Sequence, residues 1–301
     1  MKARIGQIGL ILALAPGMAG CAHRLQPPPV APPADPRALQ RAPFTDPVTG
    51  LTWQQGAIRR GPPHRRDIAL LFTAHTFAEG GETILDELAR RGAKASFFLT
   101  GEFLDTPEFA PLVRRMVRDG HYVGPHSDRH LLYCSWEREP QLLVTRAQFR
   151  ADLAANLRKL ERFGLRRAVI RYFVPPYEHY TADIATWTRE AGLTLISFTP
   201  GTRSTADYTG EADKNFVPTD TIFESILQRE RADPHGLNGF LLLLHLGSGP
   251  GRADKFHRRF GELLDVLGAR GYRFVRVEEL LGASLSGTAT ARGSGRPRSS
   301  P

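Results

Sequence analysis

Long hydrophobic runs are missing from this chain of 301 residues. The most apolar stretch, Ile5 to Ala15, is short and is stopped by Pro16. A helix that spans a hydrocarbon core needs about 20 apolar residues, so a transmembrane segment is not expected. Cysteine is scarce as well, with Cys21 and Cys134 alone. If a lipid takes Cys21, as argued below, no intramolecular disulfide forms and the fold must hold by its core. Motifs are also missing: no G-x-G-x-x-G follows the first strand, which removes a dinucleotide fold, and no zinc-finger or other nucleic-acid motif occurs. Basic excess is absent where it would matter. The chain carries a formal +9, but residues 1–66 hold nine Lys/Arg against two acids and residues 283–301 hold three against none. That leaves 28 basic and 29 acidic residues in 67–282. No nucleic-acid partner is expected, because a domain of that kind shows a basic face on its folded core. No internal repeat is visible.

What is present divides the chain into four parts. Lys2 and Arg4, the apolar run behind them and the small residues before Cys21 read as an export signal over 1–20. Met18-Ala19-Gly20-Cys21 resembles a bacterial lipobox, with methionine where leucine is usual, so that Cys21 becomes the lipidated first residue of the mature chain. A plain secretory signal cut near the same place is the alternative. Pro27 to Pro33 is proline-rich and unable to pack, so 21–66 reads as a tether and lead-in. Residues 67–282 read as the folded domain, and 283–301, rich in Gly, Ser, Thr and Arg, as a disordered tail. The expected product is an exported lipoprotein of a bacterial envelope, facing the periplasm or the cell surface and held to the membrane through Cys21.

From Asp67 onward, short apolar runs alternate with longer periodic ones. Strands are expected at 67–72, 95–99, 121–123, 169–173, 193–198, 240–244 and 272–277, and helices at 82–89, 111–118, 147–163, 182–191, 221–230 and 256–269. With 41% hydrophobic residues the chain can bury a sizeable core. The alternation implies an α/β fold with a parallel sheet covered by helices, either open and doubly wound or a barrel of βα units. In both, ligands bind at the carboxyl ends of the strands.

The polar residues fall at those ends. His126-Ser127-Asp128-Arg129-His130 follows Gly124-Pro125 and places two imidazoles at i and i+4, where both reach one cation if the segment is a helical turn. Taken alone, the pair reads as two solvated histidines. A zincin is not expected, because Ser127 stands where H-E-x-x-H needs its glutamate. Thr73 and His75, Tyr177 and Glu178, Thr199 to Arg203, and His245 occupy the other strand ends.

With those residues placed, residues 67–281 resemble the polysaccharide deacetylase family, metal-dependent carbohydrate esterases built on a seven-stranded distorted (β/α) barrel. Four stretches carry the resemblance: His126 to His130 matches H-[ST]-x-x-H, Ala95 to Gly101 matches A-[ST]-F-F-x-x-G, Val174-Pro175-Pro176-Tyr177 is similar to R-x-P-P-Y, and Leu242 to His245 matches the late strand whose histidine assists catalysis. The family's T-F-D-D is replaced by Leu71-Phe72-Thr73-Ala74, so its base and its metal-binding aspartate are both absent. His75, Glu79, Gly80 and Gly81 just downstream resemble a divergent branch reading F-T-G-H-x-F-A-[DE]-G-G.

The resemblance implies hydrolysis of an N- or O-acetyl group on a polysaccharide or envelope glycan, with the acetylated glycan as partner and a divalent metal as cofactor. Zinc is the expected ion, since catalytic zinc takes three protein ligands. His75 is the candidate third ligand beside His126 and His130. Glu79 and Glu178 are the two candidate bases, and His245 is the expected acid. Tyr177 is a candidate for sugar stacking or oxyanion binding, and Arg203 and Asp207 for orienting substrate or a histidine. The competing expectation is a non-catalytic carbohydrate-binding or scaffolding lipoprotein that kept the fold and lost the first-motif carboxylates.

Overall fold

The computed structural model describes residues 42–282. The export signal, Cys21, the proline run and the tail after 282 lie outside the described residues.

Strand β4 (Asp67–Ala74) is the centre of the sheet, and all eight of its residues are buried. One edge of it pairs with β9 (Phe240–His245) from Ile68 to Thr73. Its other edge is shared: β10 (Arg273–Val275) takes Asp67 to Ala69, and β5 (Ser96–Leu99) takes Leu71 to Ala74. β5 in turn pairs with β6 (Tyr122–Pro125). A separate ladder joins β7 (Tyr172–Phe173) to β8 (Thr194–Leu195). All these pairings are parallel, so the seven expected strands are present. Their ladders form a five-stranded and a two-stranded sheet and do not draw a closed barrel. Single backbone bonds cross the two gaps, from Val174 N–H to Pro125 O at 3.4 Å and from Thr199 N–H to Leu241 O at 3.0 Å. Pro125, Pro175 and Pro176 have no N–H to extend a ladder at the first gap.

Alternation along β4 divides the core, because successive strand side chains point to opposite faces. Ile68, Leu70 and Phe72 pack with helix residues such as Leu85, Leu153 and Phe260. Ala69 and Leu71 pack on the other face with Phe98, Tyr172, Ile196, Leu241 and Leu243. The surrounding helices are α1 (Gly81–Arg90), α2 (Gly101–Asp105), α3 (Ala110–Arg118), α4 (Arg146–Glu161), α5 (Ala182–Glu190), α6 (Thr219–Ala232) and α7 (Phe260–Ala269). None of the described helices is long and apolar enough to cross a membrane.

The fold begins before Asp67. An antiparallel sheet of β1 (Phe44–Thr45), β2 (Thr52–Gln54) and β3 (Ala57–Arg60) lies within the segment read as a lead-in. Its β2–β3 turn uses Gln55 and Gly56, both at positive φ, the backbone twist that a two-residue hairpin needs. β3 then meets the strand region after β8 through a parallel Ile58–Ile196 bridge.

Candidate active site

The carboxyl ends of β4, β6, β7 and β9 surround one cleft of about 280 Å³. His75 enters it just after β4, His126 and His130 after β6, and Tyr177 and Glu178 after β7, while His245 ends β9. Six of the residues expected at the site are therefore brought together. No lysine or arginine is among the described lining residues.

His126 is fixed at its ring and at its backbone. Its ring Nδ1 stands 2.8 Å from Val174 O, its backbone N–H donates to Asn156 Oδ1 at 3.0 Å, and it is 2% exposed. A carbonyl only accepts, so Nδ1 carries the proton and Nε2 keeps its lone pair. Burial pushes the His126 pKa down to about 3 and the His130 pKa to about 2, with the neighbouring histidines adding to the effect. Both rings are held neutral, the state in which imidazole ligates a metal.

The segment His126 to His130 is not a helical turn: Ser127 has φ 73° and His130 φ 51°. A buried carboxylate holds this loop. Asp152 accepts from Ser127 Oγ at 2.7 Å, Tyr133 Oη at 2.8 Å, and the backbone N–H groups of Asp128 and Arg129 at 3.1 Å each. One turn further along α4, Asn156 Nδ2 donates to Leu99 O at 3.1 Å and so ties β5 to His126. Tyr177 and Glu178, at φ 59° and 52°, repeat the left-handed conformation on the facing loop. Outside glycine such a backbone persists where its surroundings over-determine it, and it gathers at functional sites.

On the opposite wall, Asp207 stands 2.6 Å from His245 Nδ1. Burial lowers the His245 pKa, but the charge and hydrogen bond of Asp207, with the charge of Glu178, outweigh it, and the net shift is upward. Burial also pushes the Glu178 pKa up to about 7, opposed by His245 and assisted by Asp207. An acid and a base thus face one cleft, each within electrostatic reach of the other.

Three expected residues do not line the cleft. Glu79 does not line the cleft. Its Oε1 accepts from the backbone N–H groups of Ser248 and Gly249, at 2.9 and 2.8 Å, and from Lys255 Nζ at 2.6 Å. Burial would raise its pKa, but those contacts bring it down to about 2, which leaves little basicity at neutral pH. Of the two candidate carboxylates, Glu178 is the one that lines the cleft. Arg203 is exposed and outside the cleft, its backbone N–H donating to Ser225 Oγ at 2.8 Å. Asp207 acts on His245 and is not among the cleft-lining residues.

Aromatic residues form the rim, and of the four only Tyr177 was singled out from the sequence. Phe77, Trp136, Tyr177 and Tyr208 line the cleft and are 43%, 63%, 45% and 49% exposed. Tyr177 leans on His130 at 4.4 Å between ring centroids, and Tyr208 on His245 at 4.7 Å.

The donor chemistry suits a divalent metal: four imidazoles border the cleft, His126 and His130 among them held neutral, and Thr73 Oγ1 is buried beside them without a hydrogen-bond partner. As placed, no three His, Cys, Asp or Glu side chains among the described residues converge on one ion position. The rings of His75 and His130 are stacked, 4.6 Å apart and 15° from parallel. In-plane lone pairs of stacked rings run side by side. His75 is further engaged by Thr100 Oγ1 at 3.2 Å from Nδ1 and by Glu102 at 3.6 Å from Nε2.

Residues 60–196 match the family model described as Polysaccharide deacetylase. The peptidoglycan-N-acetylglucosamine deacetylase of Bacillus cereus is 25% identical over 225 residues, covering 74% of this chain and 71% of that protein. Among solved structures, a family 4 carbohydrate esterase from Bacillus subtilis aligns with a TM-score of 0.61 at 19% identity, over 76% of this chain and 86% of that one. A family 4 acetyl xylan esterase from Clostridium thermocellum, in complex with a cobalt ion, aligns with a TM-score of 0.51 at 22% identity, over 72% and 91%. The parallel α/β fold is shared with these two carbohydrate esterases. Over residues 60–196 the chain is thus similar to the polysaccharide deacetylase family, and the Bacillus cereus relative is a deacetylase of a glycan.

Proposed function

We propose that this chain hydrolyses an N- or O-linked acetyl group on a glycan of the bacterial envelope, with Glu178 as base and His245 as acid. The observation that carries this reading is that Glu178 and the Asp207-bound His245 line the same cleft as the histidine cluster. Glu178 takes a proton from water as its oxygen attacks the acetyl carbonyl carbon. His245 gives a proton to the sugar nitrogen or oxygen as its bond to that carbon breaks, which leaves acetate and a free amine or hydroxyl. Asp207 keeps Nδ1 protonated, so the exchangeable proton is on Nε2. His126, His130 and, once off its stack, His75 would hold a divalent metal, zinc by donor preference, which when bound polarises the acetyl carbonyl. The four exposed aromatics offer flat, half-apolar faces for sugar rings, and the lack of Lys/Arg in the lining suits an uncharged sugar over an anionic one.

The test is turnover of an acetylated sugar oligomer by the metal-loaded protein and its Glu178→Gln variant. General-base loss is expected to lower kcat by about 10²–10⁴-fold with metal content unchanged. If the fully metallated parent releases no acetate from any acetylated glycan, the carbohydrate-binding reading takes its place. That reading is favoured by Thr73 and Ala74 standing where the family has two carboxylates.

The same reading places the protein at a membrane through a lipid on Cys21, with the proline run as spacer. One acyl chain anchors only marginally, so stable attachment needs the several chains of a bacterial lipoprotein. Cys21→Ser is expected to move the protein to the soluble exported fraction, and unchanged membrane partitioning would reject lipidation.

A further inference from the structure

The motif His75-Thr76-Phe77-Ala78-Glu79-Gly80-Gly81 is joined along its length to the loop that follows His245. Glu79 Oε1 gathers the Ser248 and Gly249 backbone N–H groups and Lys255 Nζ. Lys255 Nζ closes the ring by donating to Gly249 O and to Ser248 Oγ. One residue on, Gly80 N–H donates to Leu246 O at 3.0 Å, and Leu246 N–H donates to Thr73 O at 3.0 Å. The two loops are in close backbone contact: a Cβ on Gly247 would fall 2.3 Å from Glu79 Oε2 and 2.6 Å from the Phe77 carbonyl carbon. Gly249, at φ 69°, lies against the Phe77 ring in the same way.

This bracket joins two adjacent walls of the cleft. On one side it holds the loop that carries His75 and the rim residue Phe77; on the other it holds Gly247 and Ser248, which line the cleft directly after His245. We propose that Glu79 is a positioning residue, which sets the separation of the His75 and His245 walls by binding the backbone of the 246–249 loop from outside the cleft. This rests on the cleft being the deacetylase site described above, but the bracket itself can be tested without turnover. The role depends on a side-chain oxygen acceptor more than on a charge, because two of the contacts are neutral backbone donors. Glutamine keeps that acceptor and alanine does not.

The experiment compares the full chain with Glu79→Gln, Glu79→Ala and Gly247→Ala, the last of which strikes the bracket from the other loop if Glu79→Ala folds poorly. The first readout is amide hydrogen exchange at Ser248 and Gly249, which needs neither metal nor substrate. Exchange is expected to quicken at least tenfold in Glu79→Ala and Gly247→Ala, and to stay near the parent in Glu79→Gln. The second is kcat and KM for an acetylated sugar oligomer. A misplacement of about 1 Å can cost 10²-fold, so kcat/KM should fall by up to that order in the two alanine variants, with the pH limbs in place and substantial recovery in Glu79→Gln. Unchanged exchange in Glu79→Ala overturns the proposal. So does a Glu79→Gln protein as inactive as Glu79→Ala with its acid limb gone, which would make Glu79 a base. A parent without turnover but with the expected exchange pattern would leave the bracket standing and remove the deacetylase reading alone.

Discussion

Asp207 holds His245 at two points: one carboxylate oxygen lies 2.6 Å from Nδ1, and the other accepts the His245 backbone N–H at 2.9 Å. The two contacts fix the ring's tautomer and its attachment to the strand end together. Asp207→Asn removes the charge that raises the His245 pKa and can present an amide N–H to Nδ1, reversing the tautomer. Loss of a competent acid is expected to lower kcat by about 10²–10⁴-fold. Because the protonated form is then lost at lower pH, the alkaline limb of the pH–rate profile should move toward acid. An unmoved alkaline limb would show that Asp207 does not tune the acid.

Asp152 should matter to the metal site without touching it. It is 4% exposed and receives four hydrogen bonds, three of them from within the segment between the two histidines. Asp152→Ala strands those donors, and leaving buried donors unpaired costs about 1–3 kcal/mol each where no water reaches them. A loss of roughly 3 kcal/mol in denaturant unfolding is expected, since part of the loop can relax toward solvent. Bound metal should fall with it. A loss under about 1 kcal/mol would mean that the loop stands by itself.

Much of this arrangement was legible in the sequence, for identifiable reasons. The runs at 68–72, 95–99 and 240–244 form strands because residues buried on both faces leave an uninterrupted apolar signature. The expected strand at 169–173 shrinks to Tyr172–Phe173, with Arg167–Val169 in a 3₁₀ turn, because a two-residue ladder is too short to be set by periodicity. The β1–β3 sheet was hidden by the prolines around it. At the site, His126, His130 and His245 were readable from their places after apolar runs. Asp152 and Asn156 left a fainter signal, two polar residues at i and i+4 on the stripe of Phe149, Leu153, Leu157 and Leu160. That Glu79 is engaged outside the cleft needed three dimensions, since its backbone partners lie about 170 residues away in the chain.

The two histidines of the 126–130 segment differ in what else they support. His126 binds Val174 O and sits deep in the fold, whereas His130 rests among His75, His126 and Tyr177. Either His126→Ala or His130→Ala is expected to remove most bound metal with far-UV circular dichroism retained, because the sheet has its own apolar core. His126→Ala should also lower the thermal midpoint more, since it leaves a buried carbonyl without its donor. Elemental analysis of both proteins decides the first point, and metal retained by each of them would sink the histidine clamp.

Acid should loosen this fold through a histidine remote from the site. His121 is 7% exposed, and its Nδ1 accepts the Ala95 backbone N–H at 3.2 Å. Burial, followed by the charge of Lys94, pushes its pKa down from 6.5 to about 4. A proton on Nδ1 would face that N–H, which is the local reason the neutral form is kept. Between pH 6.5 and 4 the unfolded chain therefore binds this proton and the folded chain does not. Stability is fully present above 6.5 and falls as the pH drops toward 4, at up to about 1.4 kcal/mol per pH unit and about 3 kcal/mol in all. His126 and His130 add slope of the same sign in the metal-free protein. His121→Gln offers an amide oxygen to Ala95 N–H and cannot titrate. Urea unfolding of the metal-free parent and variant from pH 7 to 4.5 should show the variant's stability declining less steeply, by close to one proton's worth. Parallel curves would mean that His121 titrates alike in the folded and unfolded chains.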